Sequence, residues 1–228
     1  MSSSSAPAAL AGGHGGDAHS DPHLAHHFDS METQNHASRL GMWLFLGTEV
    51  LLFAGLFLGY TVYRHFYHAT WHACSQALNV WMGMGNTLVL ISSSLTVALA
   101  LWAVRVGKKN LAIGMLVFTI ICAIGFLCIK YLEYKHKFEL GELPGKWFRA
   151  EELMQYPAAN MYFTIYFLTT GLHAFHVIVG MSVLIWVMKG IIKGRYTPDY
   201  FVPVELGALY WHLVDLVWIF LFPLLYLI

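Results

Sequence analysis

The sequence has few charged residues and no excess of either sign. Charged side chains make up 11% of its 228 residues, with 13 Lys and Arg against 13 Asp and Glu, whereas hydrophobic residues make up 57%. Soluble domains carry about 25% charged residues, so this composition excludes an ordinary soluble domain. Because the charge is balanced and basic residues do not alternate with aromatic ones, no nucleic-acid-binding surface is indicated. We therefore expect a membrane protein with no nucleic-acid partner.

Cysteine is also scarce. Of the three cysteines, Cys122 and Cys128 lie within an apolar run, Cys74 lies in an expected loop, and no Cys-x-x-Cys pair occurs. Structural zinc and iron–sulfur sites use closely spaced cysteine pairs. We interpret the three thiols as small buried hydrophobic residues and one loop thiol.

Five apolar stretches are each long enough to cross a bilayer as a helix, which takes about 20 residues. They comprise residues 40–64, 80–106, 111–134, 159–189 and 203–228. The sequence therefore predicts an all-α, polytopic membrane protein in which residues 39–228 form a bundle of five transmembrane helices.

Residues 1–38 form a separate polar segment, rich in Ser, Ala and Gly, that holds six of the 13 histidines. No basic stretch leads into an apolar core, so the segment does not read as a secretory signal peptide. We predict a disordered, His-rich tail. It is either a solvated extension or a proton buffer or metal binder, since imidazole titrates near pH 6.5.

Basic residues in the short loops predict the orientation of the helices. The loops after the second and fourth stretches contain Arg105, Lys108, Lys109, Lys189, Lys193 and Arg195. The other loops carry few basic residues or offset them with acids. We therefore place the N-terminus in the cytoplasm and the C-terminus outside.

Several ionisable residues interrupt the apolar stretches near their midpoints, where a charge costs roughly 2.5–3.5 kcal/mol. These residues are Glu49, His173, His176, His212 and Asp215. We predict that they share one polar layer, that the face of the last helix carrying Glu205, His212 and Asp215 points into protein, and that Glu49 holds a proton. Lys130 and Glu133 are spaced to pair near the end of the third helix.

Other interpretations of the polar layer are less favoured. A di-iron bundle needs two Glu-x-x-His motifs and two further carboxylates, and only Glu133–His136 matches. A bis-histidine haem protein and an independent transporter remain alternatives, although no inverted repeat or broken helix supports transport.

Five motifs in order along the chain closely resemble subunit III of haem–copper cytochrome c oxidases, and the similarity runs from about residue 38 to residue 228. The motifs are Thr48–Gly55, Gly85–Leu88, Lys130–Tyr134, Thr170–Val177 and Tyr210–Trp218. The resemblance implies a helical bundle beside the catalytic subunit I. Glu49 corresponds to the family's intramembrane glutamate that reacts with carbodiimides, as expected of a protonated carboxyl group in apolar surroundings.

The resemblance also implies a function. Subunit III supports proton uptake by subunit I, protects it from inactivation during turnover, binds phospholipid and contains no haem or copper. The complex oxidises cytochrome c, reduces oxygen to water and pumps protons. We therefore expect haem and copper in partner subunits and no catalytic, cofactor-binding or metal-binding residue in this chain. The expected partners are subunit I directly, subunit II, a small subunit IV, membrane lipid and, through the complex, cytochrome c.

The sequence differs from the longer members of the family, in which two further helices precede the glutamate-bearing helix and enclose lipid in a cleft. A His-rich tail replaces them here, so the resemblance does not decide whether this chain keeps the family's lipid site. The absence of these helices indicates the short form found in the cytoplasmic (inner) membrane of bacteria. Subunit III of quinol oxidases, and more distantly homologues associated with nitric oxide reductase, are the family alternatives. Glu49 and the Tyr210-Trp211-His212 triplet favour the cytochrome c branch.

Overall fold

The computed structural model describes residues 23–150 and 153–228, and the polypeptide there is mainly helical. The long helices are α1 (Met31–Phe66), α3 (Val80–Arg105), α4 (Lys109–Glu139), α5 (Ala159–Ile192) and α6 (Val202–Tyr226). The short helix α2 (His68–Gln76) follows α1, and one 3₁₀ turn covers Gly145–Trp147. Within the described residues, the five long helices have the length and composition to cross a membrane, as predicted from the sequence.

Two compact units make up the chain, residues 1–43 and residues 44–228. In the described part of the first unit, the side chain of Gln34 accepts a hydrogen bond from the backbone N–H of Ala25 at 2.8 Å and donates one to the carbonyl of His23 at 3.0 Å. The second unit is the bundle.

Four helices form the centre of the bundle. Helix α3 packs against α4 and α6, and α5 packs against the same two helices. Helix α1 buries one narrow stripe, Leu46, Phe53 and Tyr60, whose spacing of seven residues returns to the same side of a helix every two turns. The Phe45 ring lies 5.9 Å from the ring of Tyr210, so α1 packs on α6.

Glycine ends two of the central helices. After α3, Gly107 has φ +72°, and the next N–H, of Lys108, donates to the carbonyl of Ala103 at 2.8 Å. After α5, Gly194 has φ +72° as well, and Arg195 N–H donates to the carbonyl of Gly190 at 3.0 Å. This left-handed conformation, which glycine adopts without strain, satisfies carbonyl groups of the last turn and turns the chain back.

The structure differs from the sequence prediction at the first helix. Helix α1 begins at Met31, so residues 31–38 of the predicted tail are helical. The side chain of Ser30 accepts a hydrogen bond from Thr33 N–H at 3.2 Å, a serine cap that starts the helix in a polar segment where hydropathy gives no signal. The predicted disorder of residues 1–22 lies outside the described residues.

Cys74 also differs from its predicted placement. It lies in helix α2 and is completely buried, with no exposed surface. Burial raises the pKa of this thiol to about 12, and the nearby carboxylate of Glu142 acts in the same direction.

Candidate functional site

Glu49 of α1 and His176 of α5 form the one direct contact between members of the predicted polar layer, within the described residues. Glu49 Oε2 lies 2.7 Å from His176 Nε2, and the two side chains are only 15% and 9% exposed. The Phe53 ring approaches the imidazole at 5.2 Å, and thereby covers it on the α1 side. A carboxyl group in a transmembrane helix therefore has its partner on a neighbouring helix.

The hydrogen bonds of His176 fix the number of protons in this pair. His176 Nδ1 lies 2.8 Å from the carbonyl oxygen of Leu172, which can only accept, so Nδ1 carries a proton. A hydrogen bond between Nε2 and Glu49 Oε2 requires one more proton, held by the carboxyl group or by the ring. The pair therefore contains two protons and is neutral overall, either as carboxylic acid with imidazole or as carboxylate with imidazolium.

Asp215 faces the bundle interior and is 2% exposed. Ser93 Oγ lies 3.5 Å from Asp215 Oδ2 and also accepts a hydrogen bond from Trp211 Nε1 at 3.1 Å. Asp215 Oδ1 is buried and has no hydrogen-bond partner among the described residues. The hydrogen-bond donor to this carboxyl group, Ser93, belongs to α3.

Asp215 is buried, whereas His212 and Glu205 are only partly buried, and all three side chains contact α3. His212 Nδ1 lies 2.7 Å from Ser94 Oγ at the partly exposed edge between α3 and α6. Glu205 lies in the first turn of α6, where its carboxylate is 3.9 Å from the guanidinium of Arg105. The partners of Asp215 and His212 are consecutive in α3, since Ser93 contacts Asp215 and Ser94 contacts His212.

His173 lies three residues before His176 but points into the bundle. Its ring is fully buried between Phe126 at 5.4 Å and Trp218 at 5.3 Å, measured between ring centroids. Neither ring nitrogen has a hydrogen-bond partner among the described residues. His173 therefore faces α4 and α6, whereas His176 faces α1.

The predicted pair of Lys130 and Glu133 is present, with Lys130 Nζ 2.9 Å from Glu133 Oε2. It is not at the helix end, because α4 continues to Glu139. Both side chains are buried, and the Tyr226 hydroxyl accepts from Lys130 at 2.6 Å and donates to Glu133 Oε1. The Lys130 ammonium also lies over the Trp218 ring at 4.7 Å from its centroid.

A second buried ion pair was missed by the sequence reasoning. Lys137 pairs with Glu142 and donates to the carbonyl of Ala77 at 2.7 Å. Lys137 and Glu142 are 2% and 5% exposed. The signal was present in the spacing, since Lys137 follows Glu133 by four residues and so lies on the same face of α4. The apolar stretch of the third helix ends at residue 134, so hydropathy leaves these charged residues outside the predicted helix.

The described residues contain no group of three His, Cys, Asp or Glu side chains that could hold a metal ion. His176 uses both ring nitrogens, and His212 uses one of them. The arrangement can hold and transfer a proton at Glu49 and His176, and it can hold the helices together through its buried pairs.

Comparison with known proteins places these residues in a family. The family model described as "Cytochrome c oxidase subunit III" matches residues 25–142 and 148–228. The chain is 30% identical to "Cytochrome c oxidase subunit 3" of Pelomedusa subrufa over 213 residues, which covers 88% of this chain and 72% of that protein. It is also 30% identical to the protein of that name from Arabidopsis thaliana over 201 residues, or 82% of this chain and 67% of the relative.

A third relative has a different organisation. "Heme-copper oxidase subunit I+III" of Aeropyrum pernix is 30% identical over 199 residues, which is 83% of this chain but 22% of that longer protein. Its name joins a subunit I and a subunit III.

Proposed function

The chain belongs to the cytochrome c oxidase subunit III family, and we propose that it is a non-catalytic subunit of a proton-pumping terminal oxidase. In this role it stabilises subunit I, supports its proton uptake and binds phospholipid, while haem and copper lie in partner subunits. The observation that carries the proposal is the family match, which includes all five described helices long enough to span a membrane. The subunit I+III relative supports a partnership with subunit I in particular.

The hydrogen bonds of the intramembrane histidines support a role without a haem of its own. Axial haem ligation needs an imidazole nitrogen that faces the iron. Both nitrogens of His176 are used, and the ring of His173 is enclosed by aromatic side chains. His212 keeps its Nε2 without a partner among the described residues, and it lies at the partly exposed edge between α3 and α6.

The Glu49–His176 pair supports the proposed contribution to proton uptake. It holds a transferable proton between Glu49 Oε2 and His176 Nε2 at 2.7 Å. Because Glu49 is 15% exposed, it lies at the rim of the bundle and not in its centre. A proton-bearing group at the rim is placed to influence a neighbouring subunit.

We propose cytochrome c as the electron donor, with quinol as the alternative. Two sequence features favour cytochrome c: the acid at Glu49 and the triplet Tyr210-Trp211-His212. Subunit III of quinol oxidases tends to lack an acid at the first position and to have Phe-Trp-His in place of the triplet. The proposed partners also include subunit II and a small subunit IV. We place the protein in a bacterial cytoplasmic membrane, with the N-terminus in the cytoplasm.

Purification of the native complex through a tag on this chain tests the proposal. We expect a haem-bearing partner to co-purify, and the complex to oxidise reduced cytochrome c faster than quinol. The chain separated from its partners is expected to show no haem absorption.

Three outcomes would count against the proposal. Recovery of the chain from mild detergent without any haem-bearing partner would contradict membership of a complex. Haem bound to the isolated chain would contradict the non-catalytic role. Faster oxidation of quinol would replace cytochrome c as the donor and leave the subunit assignment in place.

A further inference from the structure

Helix α6 has an exposed face between its neighbours α1 and α3. Tyr210 on α6 contacts α1 through Phe45, whereas Trp218 contacts α3 through a hydrogen bond from Nε1 to Thr87 Oγ1 at 3.0 Å. At about 100° per residue, the exposed side chains of α6 lie on the side that neither contact covers. The part of this surface that borders α3, here named the α3–α6 face, comprises the exposed Ile91, Leu216 and Ile219 and the partly exposed Ser94 and His212.

His212 places a polar atom on this face close to the middle of the membrane. Its Nδ1 is bonded to Ser94, and its Nε2 has no hydrogen-bond partner among the described residues. Helix α6 has 25 residues, so its midpoint is residue 214, and His212 lies two residues, or about 3 Å, from it. Because the hydrocarbon layer is about 30 Å thick, lipid headgroups lie roughly 15 Å away and cannot reach this nitrogen.

Three exposed hydroxyl groups elsewhere on the spanning helices are satisfied within their own helix. Thr48 donates to the carbonyl of Phe45 at 2.7 Å, Thr61 donates to the carbonyl of Phe57 at 2.8 Å, and Ser182 donates to the carbonyl of Ile178 at 2.9 Å. These side chains can face hydrocarbon because no hydrogen-bonding group is left over. The Nε2 atom of His212 is not satisfied in this way.

The outer surface of α4 provides a contrast at the same depth. Its exposed residues between positions 111 and 128 have no polar side chain other than one thiol; they are Leu111, Gly114, Val117, Phe118, Ile121, Ile124 and Cys128. A surface of this composition is suited to lipid. The α3–α6 face is apolar as well, with Leu216 and Ile219 exposed at 49% and 42%, but it has an imidazole at its centre.

We infer that the α3–α6 face is the docking surface for a transmembrane helix of a partner oxidase subunit, which supplies a hydrogen-bonding side chain to His212 Nε2. This inference rests on the proposed function, because it needs a second membrane subunit. At this depth only a protein helix can supply a hydrogen-bonding group, since neither headgroups nor bulk water reach the hydrocarbon centre. The neighbouring Ile91, Leu216 and Ile219 provide apolar contact around the hydrogen bond.

The first test is photo-cross-linking in native membranes. p-Benzoylphenylalanine is introduced at Leu216 and, as the matched control, at Ile121 on the outer surface of α4, and the complex is purified after irradiation. We expect the probe at position 216 to join a subunit of the purified oxidase, identified by mass spectrometry, and the probe at position 121 to give no protein adduct. Adducts with lipid alone at position 216, or equal protein adducts at both positions, would overturn the inference.

The second test measures retention of the partner. His212→Phe keeps a ring of similar size and removes the ring nitrogens, whereas His212→Gln keeps a hydrogen-bonding group. Loss of one intramembrane hydrogen bond weakens association by up to roughly tenfold, so His212→Phe should release the partner at lower detergent concentration. His212→Gln and the control Ile121→Phe should resemble the parent protein.

These tests separate the inference from the proposed function. If the parent chain co-purifies with a haem-bearing subunit but His212→Phe is retained equally well and position 216 gives no protein adduct, the docking surface lies elsewhere. If the parent chain co-purifies with no haem-bearing subunit, the proposed function itself fails.

Discussion

Glu49 and His176, separated by 127 positions in the sequence, share a hydrogen bond of 2.7 Å between α1 and α5. The carbonyl of Leu172 holds the other ring nitrogen as a donor at 2.8 Å, so the bond between the two side chains must contain a proton. In a region of low dielectric constant, the neutral form of such a pair avoids the desolvation of two charges. We therefore predict that the carboxyl group holds the proton in the resting protein.

Infrared spectroscopy tests the position of this proton. The parent complex at neutral pH should show the carbonyl stretching band of a protonated carboxyl group, and Glu49→Gln should lose it. Glu205→Gln is the control, because Glu205 lies beside Arg105 at a helix end. A parent spectrum without the band, or a band that survives Glu49→Gln, would show that the carboxyl group does not hold the proton.

The buried Lys130 and Glu133 should stabilise the fold only as long as both are present, because each compensates the buried charge of the other. Lys130→Met leaves the Glu133 carboxylate without its cation and should lower the free energy of unfolding by about 3–5 kcal/mol. The shift can be measured as the midpoint of unfolding when the protein in mild detergent is titrated with sodium dodecyl sulfate.

The double variant Lys130→Met with Glu133→Gln is the matched control. It removes both charges, and we expect it to be more stable than Lys130→Met because no uncompensated charge remains. If the double variant is as unstable as the sum of its single variants, the cluster does not act as a coupled unit.

Cys74 should resist thiol reagents at ordinary pH. Its pKa is raised to about 12 by burial, so the reactive thiolate forms only at strongly alkaline pH, and labelling by maleimides should be negligible at pH 7 and increase only as the pH approaches that value. Labelling is measured by mass spectrometry before and after denaturation. His72→Cys in a Cys74→Ala background is the control, because His72 is exposed on the same short helix; rapid labelling of native Cys74 would contradict its burial.

The orientation of the bundle can be tested with trypsin on membrane vesicles. Lys193 and Arg195 are exposed in the connection between α5 and α6, which we place in the cytoplasm, whereas Arg149 is exposed in the connection between α4 and α5 on the opposite side. Cleavage after Lys193 or Arg195 should occur in inside-out vesicles and cleavage after Arg149 in right-side-out vesicles. The reverse pattern would invert the proposed topology.

The sequence by itself determined the number of membrane-spanning helices. The length of an apolar run that crosses a bilayer is a local property, because each helix satisfies its own backbone hydrogen bonds. The family was also readable from local motifs such as Thr170–Val177 and Tyr210–Trp218, and the comparisons confirmed it. Hydropathy did not indicate the polar ends of two helices. Helix α1 begins at Met31 with a serine cap, and α4 continues to Glu139 through charged residues.

Only the tertiary structure decided which polar residues meet. His173 and His176 are three residues apart, yet one is enclosed by Phe126 and Trp218 and the other binds Glu49, because different helices lie beside them. His212 and Asp215 have the same spacing, and α3 meets one with Ser94 at a partly exposed edge and the other with Ser93 in the interior. A side chain's position along a helix follows from the sequence, but its partner comes from a distant segment that only packing brings near.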